Sequence, residues 1–115
     1  MNIDGSSILV TGGCGLVGST TIDLLLKEHH PGRIIILDNL HRGTLNNVEE
    51  SLKDRRVRLV EGDIRDTETV RKVMAGIDAV IHMATLRITA CAEQPREAMT
   101  VMCDGSFNVI EEAQR

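Results

Sequence analysis

The chain has 115 residues, 42% of them hydrophobic and 26% charged, which is typical of one globular domain or of part of a larger one. Its net charge of −4 comes without a basic cluster, so we expect no nucleic-acid-binding surface. We also expect neither a signal segment nor a membrane span, which needs roughly 20 apolar residues. The three cysteines form no CxxC pair, which predicts reduced thiols, no metal site and a cytoplasmic location.

Short apolar runs alternate with helical patterns along the whole chain. Strands are predicted at residues 7–11, 33–38, 57–61 and 79–83. Helices are predicted over 16–30, over 67–75 with Asp66 as N-cap and Gly76 as stop, and from Pro95 to the chain end. The apolar positions that recur at helical spacing in the first helix are Val17, Thr21, Leu24 and Leu25. Segments 39–52 and 84–94 are predicted loops, the first with one weak helical turn.

This alternation predicts a parallel sheet built from βαβ units. The fold class is then α/β, a Rossmann-type doubly wound sheet with the strand order 3-2-1-4. We interpret residues 1–115 as the N-terminal portion of such a domain, because four strands make a truncated sheet. The fourth strand should then present an unpaired edge, and part of the last helix should lack a cover.

Residues 11–18, TGGCGLVG, follow a strand and open a helix. They match G-x-x-G-x-x-G at positions 12, 15 and 18 and G-x-G-x-x-G at positions 13, 15 and 18. Gly15 lets main-chain N–H groups approach a pyrophosphate, and Gly18 lets the helix pack close to the sheet. The start of the helix also favours anions. Within the motif, Cys14 is interpreted as a small filler, although a helix start can lower a thiol pKa.

Acidic residues follow the next two strands. Asp38 lies 20 residues after Gly18, where a carboxylate accepts hydrogen bonds from ribose hydroxyls. That charge repels a 2′-phosphate and so favours NAD over NADP, although the nearby Arg42 would soften the rejection. A solvated loop acid is the alternative. Asp63 follows the third strand, as an acceptor for an adenine amino group or as a plain turn former beside Gly62.

The fourth strand ends in residues 82–85, HMAT, at the edge where open α/β sheets bind ligands. The small residues there leave room for a cofactor. His82 is interpreted as a hydrogen-bonded structural histidine without a role in proton transfer. Arg87, in the loop that follows, is either a phosphate ligand or a surface arginine.

Together, the stretches TGGCGLVG, LDNLHRG, EGDIRD, AVIHMAT and DGSFNVIEEAQR resemble the extended short-chain dehydrogenase/reductases. The most similar group is the NAD-dependent nucleotide-sugar epimerases, dehydratases and decarboxylases, in which NAD transiently oxidises a sugar carbon. The resemblance implies pyrophosphate contacts by the motif glycines, ribose contacts by Asp38 and Asn39, and adenine contacts by Asp63 and Ile64. The residues predicted to bind the cofactor are Gly12, Cys14, Gly15, Leu16, Val17, Gly18, Asp38, Asn39, Arg42, Gly43, Asp63, Ile64, Met83, Ala84 and Thr85.

The chain also departs from the pattern of this family. It contains no tyrosine, whereas the family's catalytic Tyr-x-x-x-Lys pair follows the next strand. We therefore assign no catalytic residue here. Thr85 stands where the family usually has alanine or glycine, and Met102 stands where it often has asparagine. The family often forms dimers through the helix that corresponds to residues 95–115.

Three functions compete at this stage. The first is the NAD-binding portion of a nucleotide-sugar epimerase or dehydratase, whose longer parent binds the nucleotide sugar. The second is a non-catalytic dinucleotide-binding module. The third is a fragment of an S-adenosylmethionine-dependent methyltransferase, since those enzymes also use a glycine turn and an acid after the second strand.

Overall fold

A computed structural model describes residues 3–115 as a parallel sheet packed between helices. The four strands are β1 (Ser7–Thr11), β2 (Arg33–Asp38), β3 (Val57–Glu61) and β4 (Ala79–His82). They lie in the order β3-β2-β1-β4, which confirms the predicted Rossmann-type order and the α/β class. β1, β2 and β3 have the predicted bounds, and β4 is one residue shorter.

The helices differ more from the prediction than the strands do. They are α1 (Leu16–Glu28), α2 (Thr67–Met74), α3 (Ile88–Glu93), α4 (Pro95–Met99) and α5 (Ser106–Gln114). A wide π-helical segment, Thr100–Gly105, joins α4 to α5, so the predicted single long helix is interrupted. The segment predicted as a loop after β4 contains α3, which the sequence analysis missed. Two 3₁₀ turns, Leu45–Val48 and Ser51–Lys53, replace the single weak turn.

β1 and β2 form the centre of the core. Alternate residues of β2 point to opposite faces, and Ile34 and Ile36 are fully buried with Ile22 of α1 on one side. Leu37 of β2 lies on the other side, in a cluster that includes Val70 of α2. Because helices cover both faces, these strands are apolar runs without polar alternation.

Only some of the apolar positions that recur at helical spacing in α1 are buried. Val17 is 69% exposed and Leu24 is 49% exposed, whereas Gly18, Ile22 and Leu25 are buried. The physical reason is that Gly18 packs against the turn before the helix, which rotates Val17 away from the sheet. The helical spacing of apolar residues was therefore correct as a sign of a helix, and of the positions that it named Leu25 faces the core whereas Val17 and Leu24 do not.

α2 begins and ends close to the predicted positions. The Asp66 carboxylate accepts hydrogen bonds from the main-chain N–H groups of Glu68 (3.1 Å) and Thr69 (3.4 Å), which confirms it as the N-cap. The helix ends at Met74, one residue early, and Gly76 follows in the left-handed conformation.

β4 is the edge of the sheet next to β1. Within residues 3–115, β4 pairs with β1 alone, which confirms the predicted free edge. On α5, Phe107 and Ile110 are each 63% exposed, as expected for a helix that lacks part of its cover. In the same part of the chain, no helix has both the length and the apolar character to cross a membrane.

Candidate functional site

A cleft of about 490 Å³ opens at the carboxyl edge of the sheet, between the glycine turn and the ends of β2 and β4. Its volume lies within the range of about 300–1,000 Å³ that is usual for small-molecule sites. Every residue of the predicted cofactor set lines the cleft except Cys14. Arg87, for which a phosphate ligand and a surface arginine were both left open, also lines the cleft. The lining residues that were not predicted are Leu37, His41, Asn47, Gly62, Leu86, Glu97 and Val101.

Two glycines of the turn are required by its own packing. Gly12 has φ +72°, and a Cβ there would lie 2.8 Å from the main-chain nitrogen of Ala84. A Cβ on Gly18 would collide with the carbonyl oxygen of Gly12. Gly18 therefore lets α1 approach the turn itself, whereas we predicted an approach to the sheet.

Gly15 differs from these two glycines. Its φ is −73°, and the nearest heavy atom to an added Cβ would be the Gly12 carbonyl oxygen at 3.4 Å, an ordinary contact. The packing of the chain therefore does not require glycine here. A bare main chain that lines a cleft without an internal reason is what a closely approaching ligand needs.

α1 begins without a cap. Gly15 is its N-cap residue, and no side chain within residues 3–115 accepts a hydrogen bond from the first turn. The N–H groups of Leu16 and Val17 therefore have no intrahelical acceptor, and both residues line the cleft. Free N–H groups and the positive end of the helix dipole make this a favourable place for an anion.

Asp38 joins the end of β2 to the turn. The residue is 8% exposed, and its Oδ2 accepts a hydrogen bond from the Cys14 N–H (2.9 Å) while Oδ1 accepts one from Leu40 (2.8 Å). Each carboxylate oxygen has two acceptor positions, so both keep one for a further donor. Asp38 is thus a fixed acceptor at the cleft wall, and a freely solvated loop acid is the wrong interpretation.

Cys14 lies beneath the turn, outside the cleft lining, which corrects its predicted place in the site. Its side chain is fully buried, and its carbonyl oxygen accepts hydrogen bonds from Asn47 Nδ2 (2.8 Å) and the Thr44 N–H (3.2 Å). Burial, with a smaller effect of the Asp38 charge, raises the pKa of its thiol to about 11. A lowered pKa is therefore wrong, and the interpretation as a small filler is confirmed.

Asp63 is paired within the chain. Arg65 donates from Nη2 to Oδ2 (2.7 Å), from Nε to Oδ1 (3.0 Å) and from its main-chain N–H to Oδ1 (2.9 Å). Hydrogen bonding by the Arg65 side chain is the main cause that lowers the pKa of Asp63, and the Asn39 side chain has a smaller effect in the same direction. Asp63 therefore forms the turn that we left open as an alternative, while it also lines the cleft.

His82 has a partner for each ring nitrogen. Nδ1 lies 2.6 Å from the Thr11 hydroxyl, and Nε2 lies 2.9 Å from the Ser106 hydroxyl. Loss of water around the ring lowers its pKa, although the residue keeps an exposed edge. These contacts confirm the interpretation as a hydrogen-bonded structural histidine.

The two departures from the family pattern contact each other. The Thr85 hydroxyl donates to Met102 Sδ over 2.8 Å, which links the loop after β4 to the π-helical segment. Both residues are exposed, and Thr85 lines the cleft. The hydrogen bond between these two residues therefore lies at the rim of the cleft.

Three of the missed lining residues lie after β4. Leu86 precedes α3, which the sequence did not indicate, and Glu97 and Val101 lie in α4 and the π-helical segment, where a single unbroken helix was predicted. Asn47 had a usable signal, because asparagine side chains often hydrogen-bond to nearby main chain in loops. Within residues 3–115, no group of three or more His, Cys, Asp or Glu side chains is arranged to hold a metal ion.

The fold and the cleft define a Rossmann-type α/β chain with a glycine-rich turn at its first βα junction. The chain belongs to the 3-beta hydroxysteroid dehydrogenase/isomerase family, whose model matches residues 9–115. This family is one of the extended short-chain dehydrogenase/reductases, so the predicted resemblance is confirmed at the level of the family.

Curated relatives and solved structures give the same picture. A UDP-glucose 4-epimerase from Neisseria meningitidis is 36% identical over 114 residues, which is 95% of this chain and 33% of the relative. A dTDP-glucose 4,6-dehydratase from Mycobacterium tuberculosis is 32% identical over 113 residues, which is 94% of this chain and 33% of the relative. The solved dTDP-glucose 4,6-dehydratase from Streptomyces venezuelae, with NAD bound, superposes with a TM-score of 0.87 and 28% identity over 93% of this chain and 35% of that one. The chain therefore spans about a third of the length of the proteins that it matches.

Proposed function

We propose that this chain binds NAD in the cleft and is the NAD-binding portion of an enzyme that acts on nucleotide sugars. The observation that carries the proposal is the uncapped start of α1, whose N–H groups lie beside the fixed Asp38 carboxylate in one cleft. A dinucleotide brings the complementary chemistry, because its pyrophosphate is an anion and its ribose hydroxyls are donors.

The residues present fit NAD along the length of the cleft. Gly15 and the first turn of α1 would hold the pyrophosphate, and Asp38 with Asn39 would hold the adenosine ribose. The buried negative charge of Asp38 disfavours the 2′-phosphate of NADP, and the positive charge of Arg42, which also lines the cleft, would partly offset this repulsion. The remaining contacts proposed for the cofactor are those of Gly12, Leu16, Val17, Gly18, Gly43, Asp63, Ile64, Met83, Ala84 and Thr85.

The proposed substrate class follows from the relatives, which are named for UDP-glucose and dTDP-glucose. When bound, NAD supplies a hydride acceptor for the transient oxidation of a sugar carbon. This chain contributes binding and orientation, and it has no tyrosine for proton transfer. We therefore propose that the catalytic tyrosine and lysine belong to a longer parent protein, which is cytoplasmic.

Calorimetric titration of the 115-residue chain with NAD, NADP and S-adenosylmethionine tests the cofactor. We expect NAD to bind, NADP to bind at least about tenfold more weakly because Asp38 meets its phosphate, and S-adenosylmethionine not to bind. Equal binding of NAD and NADP would remove the role of Asp38. Binding of S-adenosylmethionine alone would favour the methyltransferase alternative.

The reading frame after Arg115 tests the choice between an enzyme and a binding module. We expect a Tyr-x-x-x-Lys pair within a few dozen residues, and a parent protein that converts nucleotide sugars when supplied with NAD. Oxidation of 3β-hydroxysteroids, with no reaction of nucleotide sugars, would replace the proposed substrate class by the one in the name of the family model. Absence of the pair would favour the module.

We also propose a homodimer that forms through residues 95–115. Its support is the exposure of Phe107 and Ile110 on the outer face of α5, where apolar side chains lack a cover. Sedimentation at tens of micromolar is expected to show self-association, and a strict monomer would contradict the proposal.

A further inference from the structure

The hydroxyl of Thr11 connects the end of β1 to the end of β4. Thr11 is fully buried, and its Oγ1 accepts hydrogen bonds from the main-chain N–H groups of Met83 (3.0 Å) and Ala84 (3.2 Å). The same oxygen lies 2.6 Å from Nδ1 of His82. Three groups therefore converge on one buried hydroxyl.

The donors around the Thr11 hydroxyl favour one direction for its bond to the histidine. Two N–H groups point at this oxygen: that of Ala84, and that of Met83, which is shared with the Thr11 carbonyl oxygen at 3.0 Å. A third donor on the same oxygen would leave the hydroxyl proton without an acceptor, so donation by Thr11 to Nδ1 of His82 is the favoured arrangement. In that arrangement His82 is neutral with its own proton on Nε2, from which it donates to the Ser106 hydroxyl at 2.9 Å.

The Thr11 hydroxyl holds two walls of the cleft together. Gly12, the next residue, packs so closely on the end of β4 that a Cβ would lie 2.8 Å from both the carbonyl carbon of Met83 and the nitrogen of Ala84. Gly12, Met83 and Ala84 all line the cleft. The hydroxyl thus supports the spacing between the glycine turn and the end of β4, together with the main-chain bond from the Met83 N–H to the Thr11 carbonyl oxygen (3.0 Å).

We propose that His82 is a positioning residue for cofactor binding: as the neutral Nε2–H tautomer it accepts the Thr11 proton and thereby holds Met83 and Ala84 against the glycine turn. The effect on cofactor binding rests on the proposed function, whereas the effect on the main chain of Met83 and Ala84 does not. His82 itself lies outside the cleft lining.

Protonation of His82 at low pH should weaken these hydrogen bonds around the Thr11 hydroxyl. The groups that face the ring are the hydroxyls of Thr11 from β1 and Ser106 from α5, and burial is the one cause of its lowered pKa, with no charged neighbour contributing. A proton on Nδ1 would compete with the N–H groups of Met83 and Ala84 for the same oxygen. Met83 keeps the Thr11 carbonyl oxygen as an acceptor, so the bond from Ala84 is the one expected to weaken. Because loss of water around the ring lowers the pKa of His82 from its ordinary value, the weakening is expected at a lower pH than for an ordinary histidine.

Nuclear magnetic resonance of the ¹⁵N-labelled full chain, without ligand, tests the arrangement directly. Long-range ¹H–¹⁵N spectra at neutral pH are expected to show a bare Nδ1 and a protonated Nε2 on His82. As the pH falls, the amide signals of Met83 and Ala84 should shift with the midpoint of His82. A protonated Nδ1 at neutral pH would overturn the proposal, and so would amide signals that do not follow His82.

Two variants of His82 distinguish loss of the hydrogen-bond acceptor from a change in side-chain size. Asparagine and leucine have nearly the same shape, but only asparagine offers an acceptor. In His82→Asn, the amide oxygen can accept the Thr11 proton and does not titrate, so the Met83 and Ala84 signals should keep their neutral-pH positions down to pH 5. In His82→Leu, the acceptor is lost, and the displaced signals should be present at every pH. His29→Asn, at the exposed end of α1, is the control and should titrate as the native chain does.

The same variants test the effect on the cofactor. NAD affinity of the native chain should fall about fivefold between pH 8 and pH 5, the equivalent of one lost hydrogen bond, and that of His82→Asn should not. His41 also lines the cleft, but both proteins retain it, so it does not affect the comparison. A fall of equal size in His82→Asn would overturn the role in binding. Absence of NAD binding at every pH would instead contradict the proposed function, while the amide signals still decide the role of His82.

Discussion

α1 and α2 begin at the same edge of the sheet, each a few residues after a strand, yet their first turns are built differently. The start of α2 is capped by Asp66 and carries the acid Glu68 in its first turn. The start of α1 has neither a side-chain cap nor an acidic residue. Negative groups stabilise a helix start, so α1 forgoes stabilisation that α2 has. The contrast indicates that the donors of α1 are kept for an anion from outside the chain.

The largest effect is expected at the turn that precedes α1. In Gly12→Ala, the positive φ costs about 1–2 kcal/mol and the clash with β4 about 1–3 kcal/mol more. We therefore expect a loss of roughly 2–5 kcal/mol in the free energy of unfolding, measured by urea denaturation.

Gly5→Ala is the matched control for Gly12→Ala. Gly5 has φ +75°, almost the same as Gly12, but an added Cβ there would meet nothing within 4 Å. It should lose only the conformational part, about 1–2 kcal/mol. Equal losses in the two variants would show that the close approach of Gly12 to β4 does not matter for stability.

The sequence predicted an element where a local pattern marked its ends. β1, β2 and β3 were placed to the residue, because each is a short apolar run that ends at a glycine or an acid. Asp66 indicated the start of α2, because aspartate is a common N-cap residue. α3 carried no such sign, since Arg87 stands at its N-cap and Ile88 is 89% exposed.

A smaller effect is expected at the start of α2. Asp66→Ala removes the acceptor for two N–H groups and should lower the free energy of unfolding by about 1 kcal/mol, measured by urea denaturation. Asp66→Asn is the control, because asparagine caps a helix about as well as aspartate, and it should lose much less. NAD affinity should stay unchanged in both, because Asp66 does not line the cleft. A loss of affinity in Asp66→Asn would mean that the two helix starts are not independent.

The candidate site was predicted where one short segment carries it and missed where the chain folds back. The glycine turn and Asp38 were recognisable from spacing alone. The partners of Asp63 and Asp38 were not, since the pairing of Asp63 with Arg65 and of Asp38 with the Cys14 N–H depends on how loops close. The contact between Thr85 and Met102 joins residues 17 positions apart through a π-helical segment that no local pattern indicated.

The smallest change in stability should accompany a large change in binding. Gly15→Asp places a cap at the start of α1, where φ −73° and ψ 174° suit an N-cap residue and an added Cβ has room. We expect a gain of a few tenths of a kcal/mol in urea denaturation. NAD affinity should fall at least about tenfold in calorimetry, because the new carboxylate accepts hydrogen bonds from the free N–H groups and repels the pyrophosphate.

Gly15→Ala is the control that distinguishes the added negative charge from the added side-chain volume. It should lose less affinity while gaining no stability. If Gly15→Asp were stabilised and still bound NAD as the native chain does, the open start of α1 would not be the anion site, and the contrast with α2 would reflect folding alone.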